Sequence, residues 1–101
     1  MKSLSIGNLN IATPVIQGGM GVGVSLSGLA AAVANQGGVG VISSAGLGLL
    51  YKKLSPDYLK ASILGLTEEL RLARQKSKEG VIGINVMVAM SNYADMVTTA
   101  I

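Results

Sequence analysis

Two stretches of the 101-residue sequence hold residues whose types and spacing suit recognition of a small ligand. The first is Gln17-Gly18-Gly19-Met20-Gly21, directly after the apolar Pro14-Val15-Ile16. Glycine at the end of a strand lets the backbone approach a flat ring closely and present its N–H groups. Met20 would add a flexible, polarisable wall against an aromatic ring. The same residues read equally well as a tight turn with a buried Met filling the core. The second stretch is Gly83-Ile84-Asn85-Val86-Met87-Val88. A carboxamide among apolar neighbours must find partners, because a buried unsatisfied amide costs about 1–3 kcal/mol. Asn85 can donate and accept at once, which suits a hydroxyl, a phosphate or a ring carbonyl. Its place in the carboxyl half of a strand, where α/β proteins hold ligands, favours a ligand role over a core amide satisfied by nearby backbone.

Other chemistries are excluded or disfavoured. The sequence has no His and no Cys, so these residues offer neither a zinc site, a disulfide nor a Ser-His-Asp triad. The glycines do not spell a dinucleotide fingerprint. Gly19 and Gly21 are followed by Val24 where a third glycine belongs, Gly21 and Gly23 by Leu26, Gly38 and Gly40 by Ser43, and Gly46 and Gly48 by Tyr51. No P-loop motif exists either. A net charge of +3 with three Tyr, no Phe and no Trp is a poor footprint for nucleic acid. Lys52, Lys53, Lys60, Arg71, Arg74, Lys76 and Lys78 alternate with Asp57, Glu68, Glu69 and Glu79. That mixture reads as a solvated outer helix face. With Asp95, all five acids fall in polar helical stretches or at helix ends, and none suits a general base.

The elements that must position Gly18, Gly19, Met20 and Asn85 come from the charge and hydropathy pattern. Between Lys2 and Lys52 there is no Lys, Arg, Asp or Glu, and half of all residues are hydrophobic. Such a run raises the question of a membrane helix, but a span needs about 20 apolar residues without a polar break. Asn35-Gln36-Gly37-Gly38 cuts the run, and Asn8 and Asn10 interrupt a signal-peptide core. Buried parallel strands with small-residue helices between them explain the same run. The expectation is a cytoplasmic α/β chain that does not engage a membrane.

The pattern predicts a hairpin from Leu4-Ser5-Ile6 and Leu9-Asn10-Ile11 around Gly7-Asn8. Residues 14–17 follow as a short strand. A helix over residues 28–35 is capped by Ser27 and stopped by Gly37-Gly38. Residues 39–43 form a buried strand. Ala45, Gly46 and Gly48 argue against a helix in the next stretch. Ser55-Pro56-Asp57 starts a helix over residues 56–64, weakened at Gly65. Thr67 caps another over residues 68–78. Residues 81–88 are the third strand, and Asn92 caps a last helix. Strand–helix repeats with parallel crossovers make a doubly wound sheet or a (β/α)8 TIM barrel. A barrel takes eight units over about 250 residues, and about three are visible here. Residues 1–101 therefore read as the N-terminal portion of a single larger domain. Unpaired sheet edges also favour association, so a homo-oligomer is expected.

Three stretches carry a family resemblance. Pro14-Val15-Ile16-Gln17-Gly18-Gly19-Met20, residues 29–42 (Leu29 to Ile42, ending Gly37-Gly38-Val39-Gly40-Val41-Ile42) and Gly83-Ile84-Asn85-Val86-Met87 resemble the N-terminal part of the nitronate monooxygenase family. That family was formerly called 2-nitropropane dioxygenase and includes flavin-dependent enoyl-ACP reductases. The resemblance covers nearly the whole chain. The segment 45–66 is longer than the connection usual in the family. The resemblance implies a TIM barrel that binds FMN at its C-terminal face. It implies that the Gly18-Gly19-Met20 backbone touches the flavin, that Asn85 hydrogen-bonds FMN, and that the N-terminal hairpin plugs the lower end of the barrel. It implies oxidation of alkyl nitronates with O2 to carbonyl compounds and nitrite, with a catalytic His beyond residue 101 and no metal. FMN-dependent enoyl-ACP reduction with NAD(P)H shares every motif present here. A non-catalytic fragment without cofactor is the third reading.

Overall fold

The computed structural model describes residues 2–88 and 92–101. The hairpin forms from strands β1 (Leu4–Ile6) and β2 (Leu9–Ile11), antiparallel, with Gly7 turning the chain at φ 57°. Helix α1 (Ser27–Asn35) leads to strand β3 (Val39–Ser43), and Gly37 at φ 90° ends the helix in the left-handed conformation that glycine tolerates. A one-turn helix α2 (Leu47–Leu50), a long helix α3 (Tyr58–Lys76), strand β4 (Val81–Asn85) and helix α4 (Tyr93–Ala100) complete the order.

Strands β3 and β4 are parallel neighbours, in register from Val39 opposite Val81 to Ser43 opposite Asn85. The expected strand at residues 14–17 is reduced to a parallel bridge, Ile16 to Val39. Two bonds hold it there: the Val39 N–H donates to the Val15 carbonyl at 2.9 Å, and the Gln17 N–H to the Val39 carbonyl at 3.0 Å. The chain is thus α/β, with one two-stranded antiparallel sheet and one two-stranded parallel sheet among the described residues.

Alternation along the parallel strands separates two faces. Ile42, Ile82 and Ile84 pack with Ala30, Leu66, Ala73 and Met96 from the helices. Val39, Val41 and Val81 face the other way and enclose Ile11 of the hairpin. The hairpin therefore sits at the amino end of β3 and β4, on the face without helices. Helix α1 lies so close to β3 that a Cβ on Gly40 would stand 1.8 Å from the Ala30 carbonyl oxygen. Only glycine permits that approach.

Four local expectations are corrected. Helix α3 runs unbroken through Gly65, where two helices were expected, because the space of its missing side chain is filled by the Tyr51 ring. Thr67 sits mid-helix and donates to the Ile63 carbonyl at 2.9 Å, so it caps nothing. The cap is Asp57, which accepts from the Leu59 N–H at 2.9 Å. Helix α2 forms although Gly46 and Gly48 argue against it: Gly46 turns the chain at φ 70°, and Gly48 lets Tyr58 and Ser62 pack directly on its backbone. Strand β4 ends at Asn85 rather than at residue 88. Its partner β3 has finished there, and the Ser44 N–H and Oγ close off the Asn85 carbonyl at 3.1 and 2.9 Å.

The start of α1 brings the fourth correction. Ser27 lies inside the helix, Leu26 precedes it, and no side chain of that loop caps it. The Ser27 N–H instead donates to Glu69 Oε1 at 2.8 Å. Glu69 is buried, 5% exposed, and so does not belong to the solvated face assigned to it from sequence. Glu68 and Arg71 do lie on that face as an exposed pair 2.6 Å apart.

The packing at Gly65 gives a test with a definite sign. On an exposed helix Gly→Ala would stabilise by about 1 kcal/mol. Here a Cβ would meet the Tyr51 ring at 2.7 Å. Gly65→Ala is therefore expected to destabilise by about 1–3 kcal/mol in denaturant unfolding. A gain in stability would mean that the ring does not rest on the helix.

Candidate functional site

The carboxyl ends of β3 and β4 carry Ser43 and Asn85 side by side, on the face that the helices leave free. The loop of residues 17–26 closes over them. Its path is fixed by small polar groups from an otherwise apolar stretch. Ser25 Oγ accepts from the Met20 N–H at 2.9 Å and from Gln17 Nε2 at 3.2 Å. Gln17 Oε1 accepts from the Val41 N–H at 3.0 Å, and so anchors the loop to β3. The Ser25 carbonyl accepts from the Ser43 N–H at 2.8 Å, and the Ser43 hydroxyl donates to the Gly21 carbonyl at 3.1 Å. Gly21 and Gly23 take φ of 55° and 79°, which a side chain would resist.

This geometry brings together the residues singled out from sequence. A Cβ on Gly19 would lie 2.3 Å from the Asn85 Cβ, so the loop backbone rests directly on the Asn85 side chain. Beside Gly18 the space is open, with nothing within 4 Å of where a Cβ would stand. The Gly18 and Gly19 N–H groups donate to nothing among the described residues. Among the described residues no hydrogen bond reaches the Asn85 carboxamide, while its backbone carbonyl accepts from Ser44. Met20 is 47% exposed. Met87, two residues after Asn85, is also exposed.

A second wall borders the loop. Gly46, at the start of α2, lets the Val22 side chain approach to 2.7 Å of its missing Cβ, and Leu50 meets Gly23. Behind α2, Tyr51 donates its hydroxyl to Glu69 Oε2. Burial, the hydrogen bond to Glu69 and the charges of Glu69 and Glu68 push the Tyr51 phenol well above its ordinary range. It therefore remains a protonated donor.

The strand ends offer groups that suit a planar ring ligand. A free carboxamide, two free backbone N–H groups, an open glycine surface and two methionines are what a planar heterocycle with carbonyl and ring-nitrogen acceptors needs. No group of three potential metal ligands occurs among the described residues. Two cavities among the described residues lie elsewhere. One of about 340 Å³ is lined by Thr13, Val15, Ala32, Val33, Gln36 and Gly38; one of about 260 Å³ lies near Asn10, Glu79 and Val81.

Sequence reasoning missed Ser25, Ser43 and Glu69. Ser25 was detectable as the one hydroxyl within Val22-Gly23-Val24-Ser25-Leu26. No described helix is long and apolar enough to cross a membrane. The model of the nitronate monooxygenase family matches residues 2–100, and the chain belongs to that family of oxidoreductases. A search of curated proteins found no match.

The contact of Gly19 with Asn85 is testable by a double-mutant cycle. Gly19→Ala should cost about 1–3 kcal/mol of stability in the native background. In an Asn85→Gly background most of that cost should vanish. Equal costs in both backgrounds would show that the loop does not rest on Asn85.

Proposed function

We propose that this member of the family binds FMN at the carboxyl ends of β3 and β4, within a TIM barrel, and oxidises alkyl nitronates with O2 to carbonyl compounds and nitrite. The observation that carries the reading is the packing of the glycine loop, open at Gly18 and seated on Asn85 at Gly19, beside a carboxamide that has no hydrogen bond among the described residues. Bound FMN supplies the electron transfer and the reaction with O2, chemistry that no side chain described here offers. The Gly18 and Gly19 N–H groups donate to acceptors on the ring. Asn85 contributes a donor and an acceptor at the strand end. Met20 and Met87 cover apolar ring surface and keep water from it. Ser25 and Gln17 hold the loop so that these donors are aimed before the ligand arrives, which lowers the ordering cost of binding.

A second reading within the same family is FMN-dependent reduction of an enoyl thioester by NAD(P)H. It is favoured by exposed apolar side chains at the loop, Val22 and Val24 within it and Leu50 against Gly23, which suit an acyl chain better than a small nitroalkane.

The purified protein should show flavin absorption bands, and heat should release FMN. A colourless protein that takes up no added FMN would reject both readings. Without air, bleaching of the flavin by a nitronate supports the first reading, and bleaching by NADH or NADPH supports the second. Asn85→Ala should weaken FMN binding by about 1–3 kcal/mol with the fold retained. Unchanged affinity with lowered melting temperature would make Asn85 a packing residue only.

A further inference from the structure

Glu69 is a buried carboxylate that the proposed chemistry does not use. An ionised group withdrawn from water has to be compensated by donors close at hand. Glu69 has two, and they come from different elements. Oε1 accepts from the Ser27 N–H, the first of the α1 amides left without an intrahelical partner. Oε2 accepts from the Tyr51 hydroxyl, just after α2. The positive end of α1 adds to the compensation. Lys76 Nζ, from the last turn of α3, reaches the Ser27 hydroxyl at 3.5 Å.

The two donors border the glycine loop from opposite sides. Ser27 ends it: Ser25, two residues earlier, holds the Met20 N–H and the Gly18 carbonyl. Tyr51 follows the wall that meets it: the Tyr51 N–H donates to the Leu47 carbonyl, and Gly46 and Leu50 of that wall touch Val22 and Gly23. One carboxylate thus sets the separation between the exit of the loop and the wall it rests on.

We propose that Glu69 is a positioning residue: its carboxylate, shared by the Ser27 N–H and the Tyr51 hydroxyl, holds residues 18–25 over Asn85 and thereby sets the affinity of this site for a planar ring ligand. The identity of that ligand rests on the flavin reading above; the control of the loop does not. A neutral amide cannot replace the carboxylate fully. In Glu69→Gln one side-chain oxygen accepts, while the NH2 group faces a second donor and repels it.

The test is amide hydrogen exchange on the whole chain, with FMN affinity measured in parallel by fluorescence. Tyr51→Phe keeps the ring against Gly65 and removes only the hydroxyl. Glu69→Gln removes the charge. Leu66→Ala, a core truncation that leaves the carboxylate and both of its donors in place, reports loss of packing alone. In Tyr51→Phe and Glu69→Gln the hydrogen-bonded loop amides, those of Met20 and Ser25, should exchange about tenfold faster, the scale of one charge-assisted hydrogen bond. The β3 amides should change much less, and FMN should bind about tenfold more weakly. Leu66→Ala should raise exchange throughout. Loop exchange unchanged in both variants, or raised equally in the loop and β3, overturns the proposal. If the native chain binds no FMN, the cofactor reading fails and the exchange pattern still decides the role of Glu69.

Discussion

The approach of α1 to β3 at Gly40 sets the dimensions of everything around it. Helix and strand meet backbone to backbone, with the Ala30 carbonyl in the place where any other residue would carry its Cβ. Because the helix sits this low, the chain before it has only residues 17–26 in which to leave the bridge at Ile16, cross the strand ends and enter α1. A loop so confined, with a glycine in the left-handed region at Gly21 and another at Gly23, has little freedom left. Ser25 and Gln17 take up what remains with hydrogen bonds to the Met20 and Val41 N–H groups. Pre-organisation of the candidate site follows from a packing contact on the opposite face of the sheet.

The parallel pair also divides labour along its length. At the amino end, Val39, Val41 and Val81 surround Ile11, and the hairpin seals that end with apolar surface. At the carboxyl end the same face changes character to Ser43 and Asn85, and the chain above it is glycine instead of bulky side chains. A period-two pattern makes this possible, since residues of one face can be apolar at one end and polar at the other while the helix-facing Ile42, Ile82 and Ile84 stay constant.

The legible parts of this fold were those written in local pattern. The hairpin, α1 with its Gly37 stop and the buried β3 all follow from residues within a few positions of one another, and Gly18, Gly19, Met20 and Asn85 were singled out on the same kind of local pattern. What escaped depended on distant partners. Nothing near Gly65 indicates that the Tyr51 ring will occupy the gap and carry the helix through. Gly46 and Gly48 count against a helix until the close contacts with Val22 and Tyr58 are known. Glu69 follows Glu68 in a charged run and reads as solvated, yet Leu66, Glu69 and Ala73 share one helical stripe, and that stripe is the buried one. The meeting of Gly19 with Asn85 joins residues too far apart in sequence for any local pattern to register.

The absence of charge between Lys2 and Lys52 acquires a meaning once the loop is seen in place. Residues 17–26, Ser43 and Asn85 contain no ionisable side chain, so the groups these residues present at the strand ends are amide and hydroxyl dipoles. Dipole fields fall off steeply with distance, and salt screens short neutral contacts far less than it screens attraction between exposed ions. Such a surface does little to steer a ligand from afar; it discriminates on contact, by the order of donors and acceptors along an edge. Two rings of the same net charge but different hydrogen-bonding edges would be told apart by these contacts.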